Sequence, residues 1–120
     1  MTTKEIASRF YELTQEGKFE QIHDELFSKQ AVSVEPENAQ AGVLRTVSGM
    51  DQIKKKGKEW NEAVQEVHSG YSSEPQIAGN HFTVAMGMEV TLKGQPRMKM
   101  DEICLYEVKD GKIVKEQFFY

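Results

Sequence analysis

This sequence predicts an α+β fold: a cone-shaped, curved antiparallel sheet covered on one face by three N-terminal helices. Two patterns predict it. The first is a pair of apolar stripes at period two. Phe82, Val84, Met86, Met88, Val90 and Leu92 alternate with mostly small or polar neighbours, and after a polar turn the stripe resumes as Met98, Met100, Glu102, Cys104, Tyr106 and Val108. Such alternation on both sides of a turn reads as a long hairpin with one apolar face. The second pattern is helical spacing of apolar residues in the first half of the chain. Helices first and a run of strands afterwards is the order of an α+β domain.

The elements follow in sequence. Thr2 or Thr3 caps a first helix in which Ile6, Phe10 and Leu13 recur at helical spacing, and Gly17 ends it. A short second helix carries Phe19, Ile22, Leu26 and Phe27 on its inner side. Ala31 to Glu35 reads as a strand terminated by Pro36, followed by a polar loop through Asn38, Gln40 and Gly42 and a short strand from Val43 to Val47. Ser48 starts a long helix that runs to about Val67, with Ile53, Trp60, Val64 and Val67 on one stripe and Gly57 as a weak point. From about Val67 to Ile77 the period becomes two, with Val67, Ser69, Tyr71 and Ser73 on one side. The hairpin comes next, and Lys109-Asp110-Gly111-Lys112 is a tight turn into a final strand, Ile113 to Tyr120.

At 120 residues the chain is expected to form one domain, residues 1–120, with a real core. Its net charge of −4 argues against a nucleic-acid partner. The basic cluster Lys54-Lys55-Lys56 with Lys58 lies among Asp51, Glu59 and Glu62 and reads as a solvated helix face. The single cysteine, Cys104, excludes an internal disulfide, and no apolar run approaches membrane-spanning length. The polar start of the chain lacks the apolar core of a secretion signal. A soluble, cytoplasmic protein without a membrane partner is expected. His23, His68 and His81 have no metal-ligand spacing, so no metal is expected.

Glu102 is the most informative residue, because it interrupts the apolar stripe. An unpaired carboxylate there is costly, so it is paired with a lysine such as Lys99 or Lys93, protonated, or facing a cavity that needs an acid. Val32 and Val34 form one side of their strand, which puts Ser33 and Glu35 on the other, facing either solvent or the interior. On the last strand Glu116 shares a face with Val114, Phe118 and Tyr120 and either completes an inward group of acids or lies exposed. Cys104 reads as a small core residue. Trp60 and Tyr71 are core or rim aromatics, and the methionines of the hairpin suit an irregular cavity or a forgiving interface.

Along nearly its whole length the chain resembles the nuclear transport factor two-like superfamily, with its cystatin-like fold, and in particular the SnoaL-like and ketosteroid-isomerase-like members. The resemblance rests on Arg9-Phe10-Tyr11-Glu12-Leu13 followed by Gly17-Lys18-Phe19, on Ala31-Val32-Ser33-Val34-Glu35-Pro36, on Ser48-Gly49-Met50-Asp51-Gln52-Ile53, and on Tyr106-Glu107-Val108-Lys109-Asp110-Gly111-Lys112-Ile113-Val114. It implies a small apolar ligand, a homodimer through the outer sheet face, and proton-transfer chemistry on an apolar carbonyl compound without a cofactor. Glu35 stands where the family's proton-shuttling carboxylate stands, and Glu102 would polarise the substrate or act as second acid. The family's helix-one tyrosine falls on Phe10, beside Tyr11, and its aspartate on the penultimate strand falls on Cys104, so ketosteroid isomerisation as such does not carry over. The ligand is expected to meet Phe10, Tyr11, Trp60, Met86, Met88, Met100, Cys104, Glu116, Phe118 and Tyr120. A non-catalytic binding or dimerisation module is the alternative.

Overall fold

The computed structural model describes residues 1–39 and 42–120, so the expected loop residue Gln40 lies outside the described residues. The first helix, α1 (Thr3–Gln15), opens on a capping box: Thr2 accepts from the Glu5 backbone N–H, and the Glu5 side chain accepts from that of Thr2. It closes at Gly17, whose positive φ of 71° lets Lys18 N–H reach the Leu13 carbonyl and Gly17 N–H that of Thr14. Helix α2 (Phe19–Leu26) follows immediately. Phe19 is exposed rather than turned inward, and Phe27 is buried but already opens the first strand, β1 (Phe27–Val34).

A two-residue strand, β2 (Val47–Ser48), precedes helix α3 (Met50–Ala63). This helix is shorter than its apolar spacing suggests. Val64 begins strand β3 (Val64–Ser72), where Val64 pairs with Leu92 and Val67 with Val90 across an antiparallel ladder. The three-residue step from Val64 to Val67 fits a helix, but the ladder to the neighbouring strand satisfies this backbone instead, and Val67 is left exposed. The remaining strands are β4 (Gln76–Ala78), β5 (His81–Leu92), β6 (Arg97–Lys109) and β7 (Lys112–Phe119).

These strands form one curved sheet in the order β2-β1-β7-β6-β5-β3, with β4 also on β5. All pairings are antiparallel except that of β1 with β7, a departure from the wholly antiparallel sheet expected. A parallel pair needs a long crossover, and here everything between β1 and β7 supplies it. The hairpin of β5 and β6 keeps one register from His81↔Glu107 to Thr91↔Arg97, so both apolar stripes share the inner face. The turn into β7 has positive φ at Asp110 and Gly111. A bulge follows: Glu107 faces Lys115 while Val108 faces Ile113. Val114 is the extra residue, so Glu116 shares the inner face with Ile113 and Phe118 and not, as expected, with Val114.

The helices cover that inner face. At the narrow end of the cone the rings of Phe10, Phe82 and Tyr106 lie 4.6 to 5.5 Å apart, and Phe27 packs on Tyr106 at 6.5 Å. Ile6, Leu13, Leu26, Ile53 and Ile113 complete this core. On the outer face the Tyr71 ring lies across Gly87, and its hydroxyl donates to Asp101 at 2.7 Å. Among the described residues no helix is long and apolar enough to cross a membrane.

Candidate functional site

Towards the wide end of the cone the inner face turns from rings to acids. Glu35 follows the last residue of β1 and points inward with Ser33, which settles the alternative left open by the alternation of that strand. Its backbone N–H donates to Thr46 Oγ1 at 3.1 Å, fixing the chain where Pro36 ends the strand. Above it lies a lysine. Ile53, Lys56 and Trp60 are spaced three and four apart, so α3 carries all three on one face.

Lys56 is 6% exposed, which corrects the reading of the basic run as a solvated face. Lys54 and Lys58 do lie at the surface, paired with Asp24 and Glu62. Lys56 instead donates to Glu35 Oε2 at 2.9 Å, Ser33 Oγ at 2.7 Å and the Arg45 carbonyl at 3.0 Å. An ammonium has three donors, and all three are used. The signal was present in the sequence as the helical spacing of Lys56 with Ile53 and Trp60, hidden inside a cluster of lysines.

The second oxygen of Glu35 accepts from the Tyr120 hydroxyl at 2.8 Å. Glu35 is therefore held from two sides. Glu116 lies beside this pair; burial pushes its carboxyl up to about 7, against the pull of the Ser33 hydroxyl and Lys56. The Phe118 ring sits 5.6 Å from Lys56 Nζ.

Glu102 is placed differently. It faces Met86 across the ladder, and the Cys104 thiol donates to its Oε1 at 3.6 Å. Neither Lys99 nor Lys93 forms an ion pair with it; Lys99 Nζ lies 3.9 Å from Asp101 on the outer face. Burial pushes the Glu102 carboxyl up to about 7, with the Cys104 contact opposing and the nearby charges of Glu35 and Glu116 adding to the rise. Burial also pushes the Cys104 thiol far up, so it remains a neutral donor. Glu102 opens onto a pocket of about 240 Å³ whose wall is made on its apolar side by Leu44, Trp60, Leu92, Met98 and Met100 and otherwise by Tyr120, Asn38, Lys99 and Asp101. An acid that titrates near neutral pH beside an apolar wall can take up and return a proton.

The model of the SnoaL-like domain family matches residues 1–120. The chain belongs to the SnoaL-like family. A protein from Mesorhizobium loti described both as a SnoaL-like polyketide cyclase and as a carbohydrate phosphatase is 32% identical to this SnoaL-like domain over 100% of both chains, with a TM-score of 0.91. A nuclear transport factor two-like protein from Burkholderia thailandensis is 14% identical over 99% of this chain and 90% of its own, at a TM-score of 0.82. TerC, crystallised with polyporic acid, is 18% identical over 98% of this chain and 90% of its own, at 0.77. The last two likenesses are of fold. No curated protein matches the chain.

The structure brings Glu35, Glu102, Glu116, Trp60, Met100 and Tyr120 of this SnoaL-like domain to the wide end. Met86 and Phe118 pack between that end and the core, and Met88 faces Met100 in the ladder. Cys104 is fully buried and reaches the site through its thiol. Phe10 is 2% exposed in the aromatic core and Tyr11 is half-buried on α1; neither lines the pocket. Sequence reasoning missed Lys56, Ser33 as its partner, and Leu44.

Proposed function

We propose that this SnoaL-like domain binds a compact apolar carbonyl compound in the Glu102 pocket and moves a proton on it. The observation that carries this reading is Glu102, a carboxylic acid with no lysine partner at an apolar wall. As a carboxylate it takes a proton from the carbon next to the carbonyl; as the acid it returns the proton to the enolate at oxygen or at another carbon. Return to another carbon completes an isomerisation; in a cyclisation the proton goes instead to the alkoxide formed when the enolate carbon adds to a second carbonyl of the ligand, and in a dehydration to the β-hydroxyl, which leaves as water. Glu35, pinned by Lys56 and Tyr120, serves as a fixed charge rather than as the moving base. The pocket volume suits a ligand of roughly one or two rings, below the drug-sized range. The similarity to a protein classed as a polyketide cyclase supports a carbonyl substrate.

The test is exchange of the α-protons of small bicyclic ketones into deuterated water, followed by NMR at pH 7. The wild type should accelerate exchange and Glu102→Gln should lose at least about tenfold of that acceleration, as expected for removal of a general base. Binding without any acceleration would favour the second reading, a non-catalytic module. One observation favours that reading: Glu35, at the family's shuttle position, has both oxygens engaged. We also propose that the outer face, with exposed Ile103 and Phe119, meets a second copy of the chain. A monomer by sedimentation at micromolar concentration would count against it.

A further inference from the structure

Tyr120 lines the pocket, and its hydrogen-bonding direction is fixed from behind. A phenol has a single proton, and that proton goes to Glu35 Oε1 at 2.8 Å. Glu35 cannot reverse the bond. Its other oxygen receives Lys56 Nζ at 2.9 Å, and the side chains of this pair are 5% and 8% exposed. The two remaining ammonium donors go to Ser33 Oγ and the Arg45 carbonyl, so each oxygen facing the ammonium, that of Glu35 included, accepts from it. What Tyr120 offers to the pocket is therefore a lone pair.

We infer that Tyr120 is a specificity-determining residue that accepts a hydrogen bond from the ligand, and that the preferred ligand carries a hydroxyl or N–H donor at the Tyr120 end of the pocket. This rests on the reading of the pocket as a ligand site. It assigns Tyr120 the opposite role to that of a tyrosine holding a developing enolate. An oxyanion placed against Tyr120 would meet a lone pair with the charge of Glu35 behind it. On the proton-transfer reading the carbonyl end of the ligand lies instead at Glu102, on a wall that also carries Asn38, Lys99 and Asp101. The ligand lies with its carbonyl towards Glu102 and its donor towards Tyr120.

Tetralone, the hydroxytetralones with the hydroxyl at each aromatic position, and their methyl ethers test this by NMR titration against wild type, Tyr120→Phe and Glu102→Gln. On the wild type one hydroxytetralone should bind about fivefold more tightly than its methyl ether and than tetralone, the worth of one neutral hydrogen bond. In Tyr120→Phe that preference should fall to within about twofold, the same bond having been removed, with tetralone affinity unchanged. A merely structural role for Tyr120 would weaken all the compounds together and overturn the proposal. So would a hydroxyl preference absent from the wild type, or one that survives in Tyr120→Phe and therefore belongs to another wall residue such as Asn38. Hydroxyl preference lost in Tyr120→Phe, with no α-proton exchange, would uphold this inference and sink the proton-transfer reading. Failure of every compound to bind would overturn both.

Discussion

The two ends of the cone are built on the same strands and the same alternation, yet one is packed with rings and the other with acids. Along β6 the inner residues run Val108, Tyr106, Cys104, Glu102, Met100, and across the ladder Phe82 stands opposite Tyr106 as Met86 stands opposite Glu102. The covering helix makes the difference. Helix α1 packs Phe10 and Leu13 into the aromatic cluster at the narrow end, whereas α3 sets Lys56 and Trp60 on the wide end, where the ammonium holds Glu35 and the Trp60 ring lines the pocket. A sheet face fixed by period two can thus be a core at one end and a site at the other.

Breaking the narrow end should have the largest effect. Phe82→Ala removes a ring stacked 4.9 Å from Tyr106 and should cost about 4 kcal/mol in urea unfolding, the range for deleting a buried aromatic. A loss below about 1 kcal/mol would show that this end is not close-packed. At the wide end Lys56→Met leaves Glu35 buried without its counter-charge and should cost about 3 kcal/mol, most of it recovered in the Lys56→Met, Glu35→Leu double variant. If the double variant is no better than the single, the pair is not the source of the loss.

The acids sharpen the comparison through pH. Glu102 and Glu116 are both raised from 4.5 to about 7, so between those values the folded protein holds protons that the unfolded chain has released. Stability from these groups is therefore present at low pH and falls as pH rises from 4.5 to 7. Glu25, held down to about 2 by Arg9, loses its contribution only as pH falls below its ordinary value, outside this window. His23, lowered mainly by burial, acts in the opposite sense below 6.5 but is common to wild type and variant. The melting temperature of wild type minus that of the Glu102→Gln, Glu116→Gln variant should fall between pH 5 and pH 7. A flat difference would place both acids in water.

The smallest effect is expected on the outer face. A Cβ at Gly87 would come within 2.4 Å of the Tyr71 ring and 2.7 Å of Asp101 Oδ1. Because Tyr71 is exposed and can swing away, Gly87→Ala should cost only about 1 kcal/mol, the worth of its hydrogen bond to Asp101. A larger loss would mean that the proposed contact with a second copy extends from Ile103 and Phe119 to Gly87 and Tyr71.

Most of the fold was legible because period two and helical spacing dominate their segments. The hairpin stripes, the cap at Thr2 and the stop at Gly17 stand where the residues put them. The end of α3 was not legible, since Val64 and Val67 satisfy a helical step by coincidence and only the long-range ladder to β5 makes them strand. Nor was the bulge at Val114, which depends on the partner strand. At the site, the in-register charge of Glu102 was readable as an anomaly, and the structure half-buries it beside the Cys104 thiol. Lys56 was hidden because composition and spacing disagree there: the first says surface, the second says core.

The parallel pairing of β1 with β7 has a consequence for how the molecule assembles. The hydrogen bond from Tyr120 to Glu35 spans 85 residues of sequence, while the hairpin of β5 and β6 closes over a short turn. Contacts of long sequence separation carry the greater loop-closure entropy and form late. The hairpin can zip early, but the polar wall of the pocket exists only once the first and last strands have met. The part of the site that forms last is therefore the Tyr120–Glu35 wall, and a chain with β7 undocked would have the aromatic end begun and the pocket open on that side.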